Sequence, residues 1–203
     1  MVGIMRSVLV LCCVSAVLCQ QPRYETLKDG RQKITLKSAN LTEEEQLSQH
    51  MPGTLKCDAC RIIAFQLMTR FNTEHKKRKS VIAKRGRLAE SDVLDIIESI
   101  CKDDNEVFDN VGVKAINGQT HLSGPGLETE NFPGMMQGGG KWPGRLKEMC
   151  SMYTGDIGEE EIYKAFLKRI NLEDFLCWGI DEMAYCNTVK KQMKLNKKGK
   201  NEL

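Results

Sequence analysis

The chain has 203 residues, 41% of them apolar, 28% charged and 6% aromatic, with a formal net charge of +3. This is the balance of a globular chain of one domain plus tails, and it excludes a disordered polyampholyte; the near-neutral charge gives little field for drawing in nucleic acid, so no nucleic-acid partner is expected. With so few aromatic residues the core must be mainly aliphatic, and a small aliphatic core gains from covalent ties.

Residues 1–19 read as a secretory signal peptide: Arg6 supplies a positive start, residues 7–18 an apolar stretch too short to span a bilayer, and Val17-Leu18-Cys19 a small-residue ending. No later run is long enough for a stable membrane span. Removing the leader takes Cys12, Cys13 and Cys19 with it and leaves six of the nine cysteines. Six in an oxidising lumen read as a disulfide framework. Residues 20–49 are polar, without an apolar period, and are expected to be a flexible leader. Within them Asn40-Leu41-Thr42 is an N-glycosylation sequon, and Glu43-Glu44-Glu45 a solvated turn or frayed helix start.

A helical domain is expected over residues 50–189. Leu55, Ala59, Ile63, Leu67 and Phe71 recur every fourth residue and predict a helix, which fades in the polar stretch 72–87; Lys76-Lys77-Arg78-Lys79 there reads as a solvated loop. Val93, Ile96, Ile97 and Ile100 face one way on a second helix over 91–101. The 48 residues of 102–149 carry Gly124-Pro125-Gly126 and Gly138-Gly139-Gly140, and predict a loop with room for a hairpin. So long an insert is expected to have a task, and the binding surface is placed on it as a part separable from the fold. A third helix is expected from about Pro143 toward Tyr153, and a fourth opening with Asp156 and Glu159 at capping-box spacing and burying Ile162, Tyr163, Phe166 and Ile170. Asn171 caps a fifth, carrying Phe175, Leu176 and Cys177. Residues 190–203 form a basic tail ending in Lys200-Asn201-Glu202-Leu203, one residue away from the Lys-Asp-Glu-Leu retrieval signal. The tail makes the retrieval receptor a partner and the endoplasmic-reticulum lumen the expected location. Asn201 in place of an acid weakens capture and allows partial secretion.

Cys57 and Cys60, three apart on a helix, point to one side. Cys177 and Cys186, nine apart, would lie on opposite faces of an unbroken helix, so a break is expected at Gly179. An antiparallel closing hairpin would then pair Cys57 with Cys186 and Cys60 with Cys177, leaving Cys101 for Cys150; this is one of about 15 possible pairings. In the chain-entropy model a closed loop of about 50 residues is worth at most roughly 4 kcal/mol.

This cysteine order on short helices resembles the saposin-like fold and its canopy relatives: an all-α, disulfide-linked bundle with a glycine-rich insert between the third and fourth mature cysteines. His50-Met51-Pro52, Cys57-Asp58-Ala59-Cys60-Arg61, Gly124-Pro125-Gly126-Leu127, Trp142-Pro143-Gly144-Arg145-Leu146, the run from Gly158 to Ala165, Leu176-Cys177-Trp178-Gly179, Cys186 and the terminal Glu202-Leu203 together resemble the marginal-zone B-cell-specific protein family. The resemblance implies a lumenal cochaperone with immunoglobulin heavy chain and lumenal heat-shock chaperones as partners. It further implies support of IgM assembly and secretion, with effects on calcium stores and integrin activation.

Two other functions compete. Cys57 and Cys60 could form a thiol-disulfide exchange pair at a helix N-terminus, assisted by Arg61, but no strand-helix alternation surrounds them and four more cysteines are at hand to lock both. A structural role, and no enzyme beyond weak exchange, is the expectation. Lipid binding, common in saposin-like folds, would need an exposed apolar surface, and the helical stripes read instead as core. No metal or cofactor is expected. His50, His75 and His121 are scattered; the glycine run before Lys141 has Met135 and Trp142 where a phosphate loop needs Gly and Ser or Thr; Asp103-Asp104-Asn105 fails as a calcium loop at Val107. Trp142 and Trp178 read as packing residues.

Overall fold

The computed structural model describes residues 23–26, 29–35, 38–102, 106–179 and 184–187. The signal peptide 1–19, the tail 190–203 with its retrieval signal, and Asp103-Asp104-Asn105 lie outside the described residues. The chain divides into two units, before and after residue 36. The first holds an antiparallel hairpin, β1 (Arg23–Thr26) and β2 (Gln32–Thr35), with Tyr24 opposite Ile34. Its turn includes Gly30 at φ 83° and Asp29, whose carboxylate accepts from the Arg31 side chain.

The second unit is a helical body. A five-residue helix α1 (Glu43–Leu47) precedes α2 (Lys56–Lys77), α3 (Lys79–Arg85) and α4 (Glu90–Cys101). After the insert come α5 (Trp142–Ile157), α6 (Glu159–Leu167) and α7 (Leu172–Cys177). Helix α2 is the hub, packing on α7, α5 and α4. It buries Ala59, Ile63, Leu67 and Phe71 of the stripe read from the sequence, with Ile62 beside them, each larger side chain stabilising by about 1.5–3 kcal/mol. The Phe71 ring lies 5.3 Å from Tyr163 and 5.1 Å from Phe166, both on α6.

The all-α expectation fails in the insert, where β3 (Gly112–Ile116) pairs with β4 (Gln119–Ser123) and with the short β5 (Gln137–Gly138) in a three-stranded antiparallel sheet. The cause is local. Asn117 and Gly118 occupy positive φ (52° and 78°), the conformation of a two-residue hairpin turn whose twist matches the strands. Nor is the insert separable from the fold: Phe108, Val111, Val113, Leu122 and Leu127 are buried in the same core as the helices.

Other expectations change as well. The stretch 72–87 is helical for most of its length, because Glu74 is buried and gathers Arg70, Lys77 and Arg78 around it. Asp156 does not cap α6; it sits inside α5, and the break falls at Gly158, whose φ of 86° ends one helix and starts the next. Ile170 is exposed and Phe166 only half-buried. Asn171 caps α7, accepting from the Glu173 N–H at 2.9 Å. Part of the expected flexible leader is folded. Thr42 and Glu45 form a reciprocal capping box on α1, and Ala39 and Glu45 are buried.

Candidate functional site

The segment from Cys57 to Arg61 opens α2, and every side chain in it is committed. The structure joins Cys57 to Cys186 and Cys60 to Cys177, with Cα atoms 4.6 and 5.8 Å apart, and Cys101 to Cys150 at 5.3 Å. These are the pairs of an antiparallel closing hairpin. Cys60, Cys177, Cys186 and Cys150 are fully buried, and Cys57 is half-buried. The Asp58 carboxylate accepts from the Leu122 N–H at 3.1 Å and pairs with His121 Nδ1 at 3.3 Å, tying α2 to β4. That bond to Asp58 raises the His121 pKa above its ordinary value against the effect of burial. Arg61 donates from Nη2 to both oxygens of Glu128 at 2.9 Å and from Nε to Glu173 at 2.7 Å, joining the insert to α7. Its hydrogen bond to Glu128 is the main reason the guanidinium is pushed up and the Glu128 carboxyl held down.

With Cys57 and Cys60 in different bridges, the motif lacks the mutual disulfide that an exchange site alternates with. Asp58 and Arg61 are structural struts. The cleft between α2 and the end of α4, lined by Gln66, Arg70, Ile100 and Val107, holds about 230 Å³, below the roughly 300–1,000 Å³ of a small-molecule site. Among the described residues no three His, Cys, Asp or Glu side chains gather as a metal would require.

The insert is held by a set of convergent hydrogen bonds. Lys114 on β3 is buried, and its ammonium donates to three carbonyls, those of Thr129, Glu130 and Phe132, at 3.0–3.1 Å. Three donors thus meet three acceptors, which offsets part of the cost of taking the ammonium out of water. The Thr129 hydroxyl donates to the Leu122 carbonyl at 2.7 Å and Ser123 donates to the Thr129 carbonyl at 3.1 Å. Gly126 takes φ 97°, and a Cβ there would lie 2.6 Å from the Phe65 ring, so the Gly124-Pro125-Gly126 turn seats directly on α2. Beyond these anchors Phe132, Met135 and Met136 remain exposed, at 50%, 49% and 43%. Large apolar side chains exposed on a fixed backbone have the chemistry that adaptable contact surfaces use, since thioethers repack around varied shapes.

The segment 38–50 runs beside the insert and α5. Gln137 Nε2 donates to the Ala39 carbonyl at 3.0 Å, Lys141 to that of Leu47 at 3.1 Å, and buried Arg145 to those of Glu45, at 2.9 Å, and Ser48. The Arg145 guanidinium also lies 4.5 Å from the buried Trp142 ring, and Trp178 is half-buried against the core. Asn40 is exposed beside this track. The scattered histidines each sit at a joint: His50 bonds Glu148 at 2.6 Å, His121 bonds Asp58, and His75 Nε2 lies 2.7 Å from the Tyr163 hydroxyl. That hydroxyl also accepts from the Leu88 N–H, and burial lowers the pKa of His75. Sequence reasoning missed Lys114, which nothing in the strand pattern marks. The hairpin for which the insert left room is there, at the Asn117-Gly118 turn between β-prone runs, but its place and the third strand were not read from the sequence.

No family model matches the chain. It is 36% identical over 153 residues to the Marginal zone B- and B1-cell-specific protein of Mus musculus, which covers 73% of this chain and 80% of that protein. The proteins of the same name from Homo sapiens and Rattus norvegicus are 35% and 33% identical over the same length, covering 79% and 80% of theirs.

Proposed function

The chain belongs to the marginal zone B- and B1-cell-specific protein family, and on that premise we propose that it is a cochaperone of the endoplasmic-reticulum lumen that assists immunoglobulin heavy-chain folding and IgM assembly and secretion. In this reading it works by contact alongside lumenal heat-shock chaperones, and its effects on calcium stores and integrin activation are indirect. The observation that carries the reading is the apolar loop of Phe132, Met135 and Met136, mounted on Lys114 and the sheet. An unfolded client offers the complementary surface, apolar and variable in shape.

The test replaces Phe132, Met135 and Met136 by serine in the full chain. Because the three are exposed, thermal stability stays within about 0.5 kcal/mol of the parent. Co-precipitation of newly made heavy chain falls several-fold. Undiminished capture removes the loop from the mechanism. Retention by the variant tail and a glycan on the exposed Asn40 belong to the same lumenal reading, and an enzymatic deglycosylation shift on a gel checks the latter.

A further inference from the structure

Residues 38–50 run past the head of α5 as a strap, held largely through its main-chain carbonyls. Gln137 donates to the carbonyl of Ala39, Lys141 to that of Leu47, and Arg145 to those of Glu45 and Ser48. The last three carbonyls belong to the end of α1, where a helix has no partners of its own to offer, and cations suit the negative end of its dipole. Lys141 and Arg145, one turn apart at the start of α5, therefore read the end of a helical turn and not the side chains on it. Side chains cross at Ser38 with Gln137, Glu45 with Thr120, and His50 with Glu148.

The strap is the weaker partner in this contact. Helix α1 has five residues, far short of the roughly 12–15 at which a helix holds by itself. Within 38–50 only Ala39 and Glu45 are buried, and none of the three disulfides reaches the segment. The track beneath it is firm: Arg145 is 2% exposed, lies 4.5 Å from the buried Trp142 ring, and stands on a helix that Cys150 ties to α4. A segment with little apolar burial and no crosslink opens ahead of the core it lies on.

The fit is also incomplete. Arg145 Nε is buried with no hydrogen-bond partner, and among the described residues no carboxylate is bonded to the guanidinium. A buried cation short of an acceptor carries a desolvation cost that nothing offsets. A guest presenting the same turn with one more acceptor would satisfy the track better than the strap does.

We propose that Gln137, Lys141 and Arg145 form a binding track for the C-terminal end of a helical turn of a second polypeptide, read through its main-chain carbonyls, and that residues 38–50 plug this track in cis until a guest displaces them. The track uses residues other than those of the apolar loop and stands whether or not that loop captures a client.

The test uses the full chain and a fluorescein-labelled peptide of residues 38–50, read by anisotropy against the parent and against Glu45→Ala. That substitution removes the carboxylate that accepts from the Thr42 N–H at 2.8 Å, and it leaves the strap carbonyls, the track and the Asn40-Leu41-Thr42 sequon in place. With the plug open more often, the apparent affinity for the peptide rises about fivefold. Lys141→Gln in the loosened chain lowers it again several-fold, whereas Lys168→Gln, on the exposed turn after α6, leaves it unchanged. A peptide carrying Glu43→Ala, Glu44→Ala and Gln46→Ala binds within about twofold of the original, because the main chain is what is read, and one carrying Leu47→Pro, which breaks the turn, does not bind. Amide exchange in the parent needs no substitution: residues 42–50 exchange well before α2 and α5. Absence of peptide binding to the loosened chain, equal binding by parent and loosened chain, or loss of binding by the alanine peptide overturns the proposal. So do strap amides that exchange only when the whole body unfolds.

Discussion

The helical body and the insert meet in one core but are held in different ways. Where α2 meets α7 and the closing segment at Cys186, two disulfides make the junction covalent. The insert is closed by one disulfide at its base and shares the apolar core, and the path of its loop is fixed by polar contacts: Lys114 on three carbonyls, Asp58 on the Leu122 N–H, Arg61 on Glu128. Covalent ties fix which helices meet, and convergent hydrogen bonds fix the path of a loop to within their short range. The contact role proposed for the apolar loop would depend on the second more than on the first.

The widest gap between the two regions should appear when the ties of the body are cut. Replacing Cys60 and Cys177 together by serine removes a bridge that closes a long loop and leaves polar groups in a fully buried site. The expected loss is about 3–5 kcal/mol, read as a fall in the denaturant midpoint, with the whole core affected. A loss confined to α7 would mean that the body is not one cooperative unit.

The insert should respond more locally. Lys114→Met keeps the stem but takes the ammonium from three carbonyls, that of Thr129 keeping the Ser123 hydroxyl, an expected cost of about 2–3 kcal/mol. Its signature is faster amide exchange and proteolysis over residues 128–137, with α2 and α7 protected as before. Uniform destabilisation without local opening would show that the loop owes its shape to the core instead.

These two regions were also unequally legible in the sequence. The helices announced themselves through spacing: the stripe at Ala59, Ile63, Leu67 and Phe71 has only one way to be buried, and the helical turn fixes the direction of Cys57 and Cys60. The family resemblance rested on those same segments together with the Gly-Pro-Gly turn. What stayed hidden involved partners far apart in sequence. Lys114 looks like any surface lysine until three carbonyls from residues 129, 130 and 132 are folded over it. The run 72–87 looked like a solvated loop because its charges were counted without Glu74, whose burial turns several of them inward. The sheet was hidden by glycines elsewhere in the insert, which outweighed the Asn117-Gly118 turn.

The smallest effects separate the regions by pH. His121, at the joint between the insert and α2, has a raised folded-state pKa, so its ion pair contributes fully below the unfolded value of about 6.5 and is lost as pH rises through the higher folded value. His75, at the end of the body, is the reverse: burial favours its neutral form, so its contribution is present above about 6.5 and is lost as pH falls through the lower folded value. Denaturant midpoints at about pH 5.5 and about pH 8 should therefore diverge in opposite senses. His121→Ala costs more at the acidic value and His75→Ala more at the basic one, each difference being modest because both rings are partly exposed to screening solvent. If both variants shifted in the same sense, the two joints would not be electrostatically distinct, and the Asp58 carboxylate would have no special hold on the insert.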